Sequence, residues 1–208
     1  MKELPIYSKQ TVEFVTVAAE YCGFIEKAGE FDRHNFVDKC VKLLPLLYLK
    51  ATLLPQVDYL LEEELEKFVS EEMYEYLRSR LAALFGAKDD YMEVFDQDMQ
   101  YSEAPIPASI AEDLTDIYQD IKDFISVFSM ENESTMNDSL ALLNENFRTY
   151  WGQKLVNVMR PLHTICFMEN DTDEDSEQEE NYDELSENTI FDSLKDDISE
   201  DEIDRWNG

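Results

Sequence analysis

Apolar residues recur at helical spacing through most of the first 168 positions, and that pattern predicts the elements. Glu13, Thr16, Glu20, Gly23 and Lys27 make a polar stripe along a helix from Ser8 to about Ala28, so Val12, Val15, Ala19, Cys22 and Phe24 fall toward the core. The chain turns at residues 29–32, and Asp32 is placed to cap a second helix. That helix, FVDKCVKLLPLLYLKATLLP from Phe36 to Pro55, has only Lys50 and Thr52 as polar residues between Leu43 and Leu54. A helix apolar nearly all round must be surrounded by others, so it is expected at the centre of the fold. Pro45 lacks the amide that would bond the carbonyl of Val41 and should kink it; Pro55 should end it.

Residues 56–68 are ambiguous: Val57, Leu60, Leu61, Leu65 and Phe68 fit a short helix around the acidic run Glu62 to Glu66. The next helix is better marked, with Ser70 as cap, Glu71 and Glu72 suiting its dipole, Val69 and Tyr74 able to staple across the cap, and Gly86 closing it. Met73, Leu77, Leu81 and Leu84 are its expected core residues. Residues 88–107 read as a connector with one helical turn around Tyr91 to Phe95. Ser109 then caps the most regular helix, with Ile110, Leu114, Ile117, Tyr118, Ile121, Phe124, Ile125 and Phe128 on one face. From about Ser134, Met136, Leu140, Leu143, Phe147, Trp151, Leu155, Val158, Leu162 and Ile165 keep phase through Gly152, predicting one long element to Met168. Pro161 is a second potential kink. With no period-2 alternation, the expected fold is all-α: a compact bundle of five or six helices around the Pro-kinked helix.

Charge divides the chain differently. The 208 residues carry a net charge of −31, and residues 169–208 hold 18 acidic and 2 basic side chains. The expected organisation is a helical domain over 1–168 followed by an acidic tail over 169–208. Asp171 to Glu187 has too little apolar surface to offset ordering and is expected to be disordered. Beyond it Ile190, Phe191, Leu194 and Ile198 share one helical arc, with Ile203 and Trp206 following, so 189–206 is a candidate amphipathic recognition helix.

The 30 acidic against 15 basic residues before the tail argue against direct nucleic acid or an anionic membrane as partner, and for a basic protein. Cys22, Cys40 and Cys166 sit on apolar faces without a paired framework, so free thiols in a reducing compartment are expected. Glu13 and Glu20 interrupt any signal-peptide core, and the apolar run Leu43 to Leu49 is too short to span a bilayer, which predicts a cytoplasmic protein.

Three stretches carry a resemblance: FVDKCVKLLPLLYLKATLLP, DDYMEVFDQDMQYSEAPIPASIAEDLTDIYQDIKDF and NFRTYWGQKLVNVMRPLH. Over roughly residues 10–165 the chain resembles the Bacteroidetes-type bacterial family catalogued as domain of unknown function 5063. The resemblance implies an all-helical fold in a bacterial cytosol and brings no catalytic motif with it.

The strongest polar constellation is Glu112, Asp113, Asp116, Asp120 and Asp123, within one arc of the helix over 109–130. Carboxylates on one face can hold a divalent metal, but a solvated face opposite a clean apolar one accounts for them as well, and no histidine accompanies them. Neither His34 nor His163 has a glutamate three residues earlier, which excludes a di-iron bundle site. His163 and Cys166 lie one turn apart but lack a second ligand pair, so a packed helix end is expected there. The runs from Asp96 and Asp171 fail as calcium loops at their sixth and twelfth positions. No nucleophile, P-loop or dinucleotide motif is present.

A recognition surface is better supported at Tyr150, Gln153 and Lys154, joined by the connector residues Tyr101 and Glu103 and by the tail residues Phe191, Leu194, Ile198 and Trp206. The expected function is therefore a non-enzymatic interaction module without cofactor or metal, engaging a basic protein partner through its acidic surface and tail. A nucleic-acid mimic competing for a DNA- or RNA-binding protein is the first alternative, and a metal-dependent enzyme using the acidic helix face the second.

Overall fold

The computed structural model describes residues 4–61, 65–92 and 106–168; Tyr101, Glu103 and everything expected of the tail lie outside these described residues. Helices α1 (Lys9–Glu26), α2 (Arg33–Thr52), α3 (Glu71–Phe85), α4 (Ile110–Phe128), α5 (Glu133–Asn146) and α6 (Gly152–Phe167) make up the fold. A five-residue π turn, Phe147–Trp151, joins the last two into one long element, as the apolar residues continuing through Gly152 predict. Side chains of Ser8, Asp32, Ser70, Ser109 and Asn132 accept first-turn amides, and Gly86, with φ of 56°, closes α3.

Four expectations change. The centre belongs to α4, which packs against α1, α3, α5 and α6. By contrast α2 buries Phe36, Val37, Cys40, Leu44 and Leu47 but leaves Leu49 and Leu53 half exposed. Its continuous apolar run is thus a buried face plus an exposed one, and Pro45 sits on the exposed side, where a missing backbone bond can be met by water. In α1 the core face is Phe14, Ala18, Tyr21, Cys22 and Ile25, whereas Val12 is 53% exposed. The face is rotated because Phe14, Ala18, Tyr21 and Ile25 make a larger apolar stripe than the predicted one, and this brings Glu13, counted as solvent-facing, to within 2.7 Å of Lys50 on α2.

The third change concerns residues 56–61 and 65–70, which form no helix. Helix side chains take their backbone bonds instead. The fully buried Asp138 accepts the amides of Leu60 and Leu61 at 2.7 and 2.8 Å, and Asp123 accepts those of Phe68 and Val69 at 2.7 and 2.9 Å. Asn144 and Asn137 donate to the carbonyls of Pro55 and Asp58. A segment bonded in this way gains nothing from helical bonds of its own. Finally, Asp90–Met92 forms a strand, β1, where a helical turn is expected, and pairs antiparallel with β2, Pro107–Ser109. Between this hairpin and α4, the carboxylate of Asp89 accepts the amide of Ala111 and the hydroxyl of Ser109, fixing the first turn of α4.

Candidate functional site

The acidic row of α4 is a buried polar seam, which corrects the expectation of a solvated face. Asp113 and Asp116 are only 4% and 7% exposed, while Glu112 remains outside. Across from them the π turn and the start of α6 bring in Lys154, whose Nζ lies 3.0 Å from Asp113 Oδ1 and 2.7 Å from Asp116 Oδ2. Tyr74 of α3 donates to the other oxygen of Asp116 at 2.7 Å, Tyr91 of β1 donates to the other oxygen of Asp113, and Tyr150 also bonds Asp116. One ammonium and three phenols thus converge on two carboxylates from four elements.

A π turn at this point has a local cause. A Cβ on Gly152 would stand 2.2 Å from the carbonyl oxygen of Phe147, so only glycine lets the backbone close up here. The extra residue of the turn brings Tyr150 and Lys154 to the α4 seam while Trp151 stays buried. The glycine therefore serves an approach within the chain, not the approach of another protein.

Burial raises the Asp113 carboxyl above its usual value, against the pull of Tyr91 and Lys154. For Lys154 burial acts downward, but its bonds with Asp116 and Asp113 outweigh this and hold the ammonium above the ordinary lysine value. Tyr74 and Tyr150 are raised by burial and then by their bonds to Asp116, so they act as neutral donors. The seam is therefore a locked ion pair with phenolic support, with no free base among its members.

One turn further along α4 the seam opens. Asp120 accepts the amide of Asn146 at 2.6 Å and lines a cavity of about 410 Å³ bounded by residues 65–67, α4, α5 and Tyr150. Burial, reinforced by Asp123 and Asp116 and opposed by the Asn146 bond, pushes its pKa up to about 6.

A model of the family described as Domain of unknown function (DUF5063) matches residues 5–168. The chain belongs to the DUF5063 family. Among solved structures, protein BF1032 from Bacteroides fragilis is similar at 48% identity, with 81% of this chain and 99% of that chain covered and a TM-score of 0.72. No curated protein matches the sequence.

In this DUF5063 chain the sequence-predicted recognition residues divide. Gln153 is exposed and Tyr150 is 44% exposed at the cavity, but Lys154 is turned inward onto the seam and leaves the surface grouping. The metal reading of the acidic row meets a different difficulty. Asp113 and Asp116 already surround an ammonium, and Asp123 is bonded to two amides. Among the described residues no three His, Cys, Asp or Glu side chains are grouped to hold an ion. His163 packs against Phe167 at the end of α6 with the rings tilted by 50°, and His34 is exposed. Cys22 and Cys40 are buried free thiols and Cys166 is partly buried; no described helix is long and apolar enough to cross a membrane.

Sequence reasoning missed Tyr74 and Tyr91 as seam donors, Asn146 as the partner of Asp120, and Asp138 as an anchor. One signal was available: the row after Glu112 uses only aspartate. Aspartate is a poorer helix former than glutamate, and its short stem suits bonding close to the helix rather than reaching into water.

Proposed function

We propose that this chain is a non-enzymatic interaction module of a bacterial cytosol that engages a basic protein through its acidic surface and tail. The observation that carries the reading is the distribution of charge. The part before residue 169 has twice as many acidic as basic side chains. Several of those cations are already used internally, Lys50 on Glu13, Lys122 on Glu26, Lys154 on Asp113 and Asp116, and Arg78 on Glu75. The field left over is negative and favours association with a positively charged surface. Tyr150 and Gln153, together with Tyr101 and Glu103, would supply specific contacts, and Phe191, Leu194, Ile198 and Trp206 an apolar anchor from the tail.

Affinity capture with the full chain and with a chain ending at residue 168, where the family match ends, tests the reading. Retained proteins should be basic, should elute with moderate salt, and should fall away when the tail is removed. Retention of neutral proteins through high salt would overturn the proposal. Release of a nucleic-acid-binding protein by added DNA would point to a nucleic-acid mimic instead.

A further inference from the structure

The cavity beside Asp120 differs in construction from the seam next to it. Where Asp113 and Asp116 have an ammonium and phenols on their oxygens, Asp120 has, among the described residues, one amide, from Asn146. At about 410 Å³ the space falls in the range of small-ligand sites, well above what one or two waters need. Phe124, Val127, Leu142, Leu143 and Leu65 supply its apolar lining. Glu66, Asp120 and Asp123 outnumber Lys67 among the charged lining residues, so the polar end is anionic.

We propose that this cavity binds an organic cation, an ammonium or guanidinium group on an aliphatic stem, with its head at Asp120 and its stem along Leu142 and Leu143. A half-buried carboxylate with a single neutral donor is costly to ionise, and a cation removes that cost while the stem covers apolar wall. The reverse occupant, an anion, would meet three carboxylates against one lysine. The inference deepens the function proposed above, because a Lys or Arg side chain of a basic partner is one source of such a group and a free alkyl cation is the other.

Titration calorimetry on the full chain tests it, with agmatine and n-butylamine as free cations, n-butanol as neutral analogue, and a blocked Lys- and Arg-containing peptide beside its norleucine counterpart. Saturable binding is expected for the cationic member of each pair, falling about tenfold or more in Asp120→Asn, which keeps the shape and removes the charge. Leu142→Trp, at a partly exposed rim position, should fill the cavity and block binding with Asp120 intact. Tighter binding of agmatine than of the peptide assigns a free ligand, and the reverse assigns a partner's side chain. Equal binding of neutral and cationic probes, undiminished binding in Asp120→Asn, or no saturable binding of any cation overturns the inference. Salt-sensitive capture of basic proteins that survives Asp120→Asn would leave the interaction reading standing while this one fails.

Discussion

Lys154 Nζ lies 2.7 Å from Asp116 Oδ2, joining α6 to α4 through a pair in which the carboxylate is almost wholly removed from water. Removing the cation leaves two buried carboxylates facing each other. Lys154→Met should destabilise the chain by about 3 kcal/mol, the lower part of the range for a broken buried pair because Lys154 keeps some solvent contact. Adding Asp113→Asn should recover part of the loss. While its carboxylate partners stay ionised, the contribution from Lys154 is complete below the unfolded lysine pKa of about 10.4 and is lost as pH rises through the higher folded value. Urea unfolding of both variants checks this, and an unchanged midpoint in Lys154→Met would show that the pair is not structural.

Asp120 gives stability a dependence on pH of the same sign in a more acidic window. Its folded pKa of about 6 exceeds the unfolded value, so the folded state holds the proton more tightly and stability falls as pH rises from about 4 to about 6. Burial sets most of this shift, and the groups that modify it are Asn146 on α5, Asp123 and Asp116 on α4 and Lys67. Asp120→Asn should therefore raise the melting temperature at pH 7.5 and have little effect at pH 4. Equal shifts at the two pH values would refute it.

Gly152→Ala should cost about 1 to 3 kcal/mol, because its Cβ meets the Phe147 carbonyl and the turn must shift to admit it. A melting temperature equal to that of the unsubstituted chain would mean that the π turn relaxes freely.

Leu47 is fully buried although α2 is not central. Leu47→Ala should cost about 2 to 5 kcal/mol by chemical denaturation. The exposed Leu49→Ala, by contrast, should stay within about 0.5 kcal/mol; a similar loss at both positions would contradict the assignment of faces.

Elements with one apolar face and a capping residue were legible in the sequence, as Ser70 and Gly86 show for α3 and Ser109 for α4. Their positions relative to one another were not, because they depend on pairings between distant residues. Glu13 of α1 meets Lys50 of α2, and Asp113 and Asp116 meet Lys154 of α6. Spacing along one helix cannot show whether a carboxylate meets water or an ammonium from another helix. The π turn did leave a trace: Leu143, Phe147, Trp151 and Leu155 are separated by three successive steps of four, one residue more than an α-helical stripe holds. Asp138 left none, since its partners distant in the chain are backbone amides, which every residue but proline possesses.

That last point bears on how the chain can vary. Residues 60, 61, 68 and 69 are steered by bonds to their main chain from Asp138 and Asp123, while Leu60 is 65% exposed and Leu61 and Phe68 are partly exposed. The route of the segment is thus written in α4 and α5 and not in the segment itself. Its outward residues are open to exchange without rerouting the chain, so natural selection or a designer can rewrite this surface while Asp123 and Asp138 preserve its course.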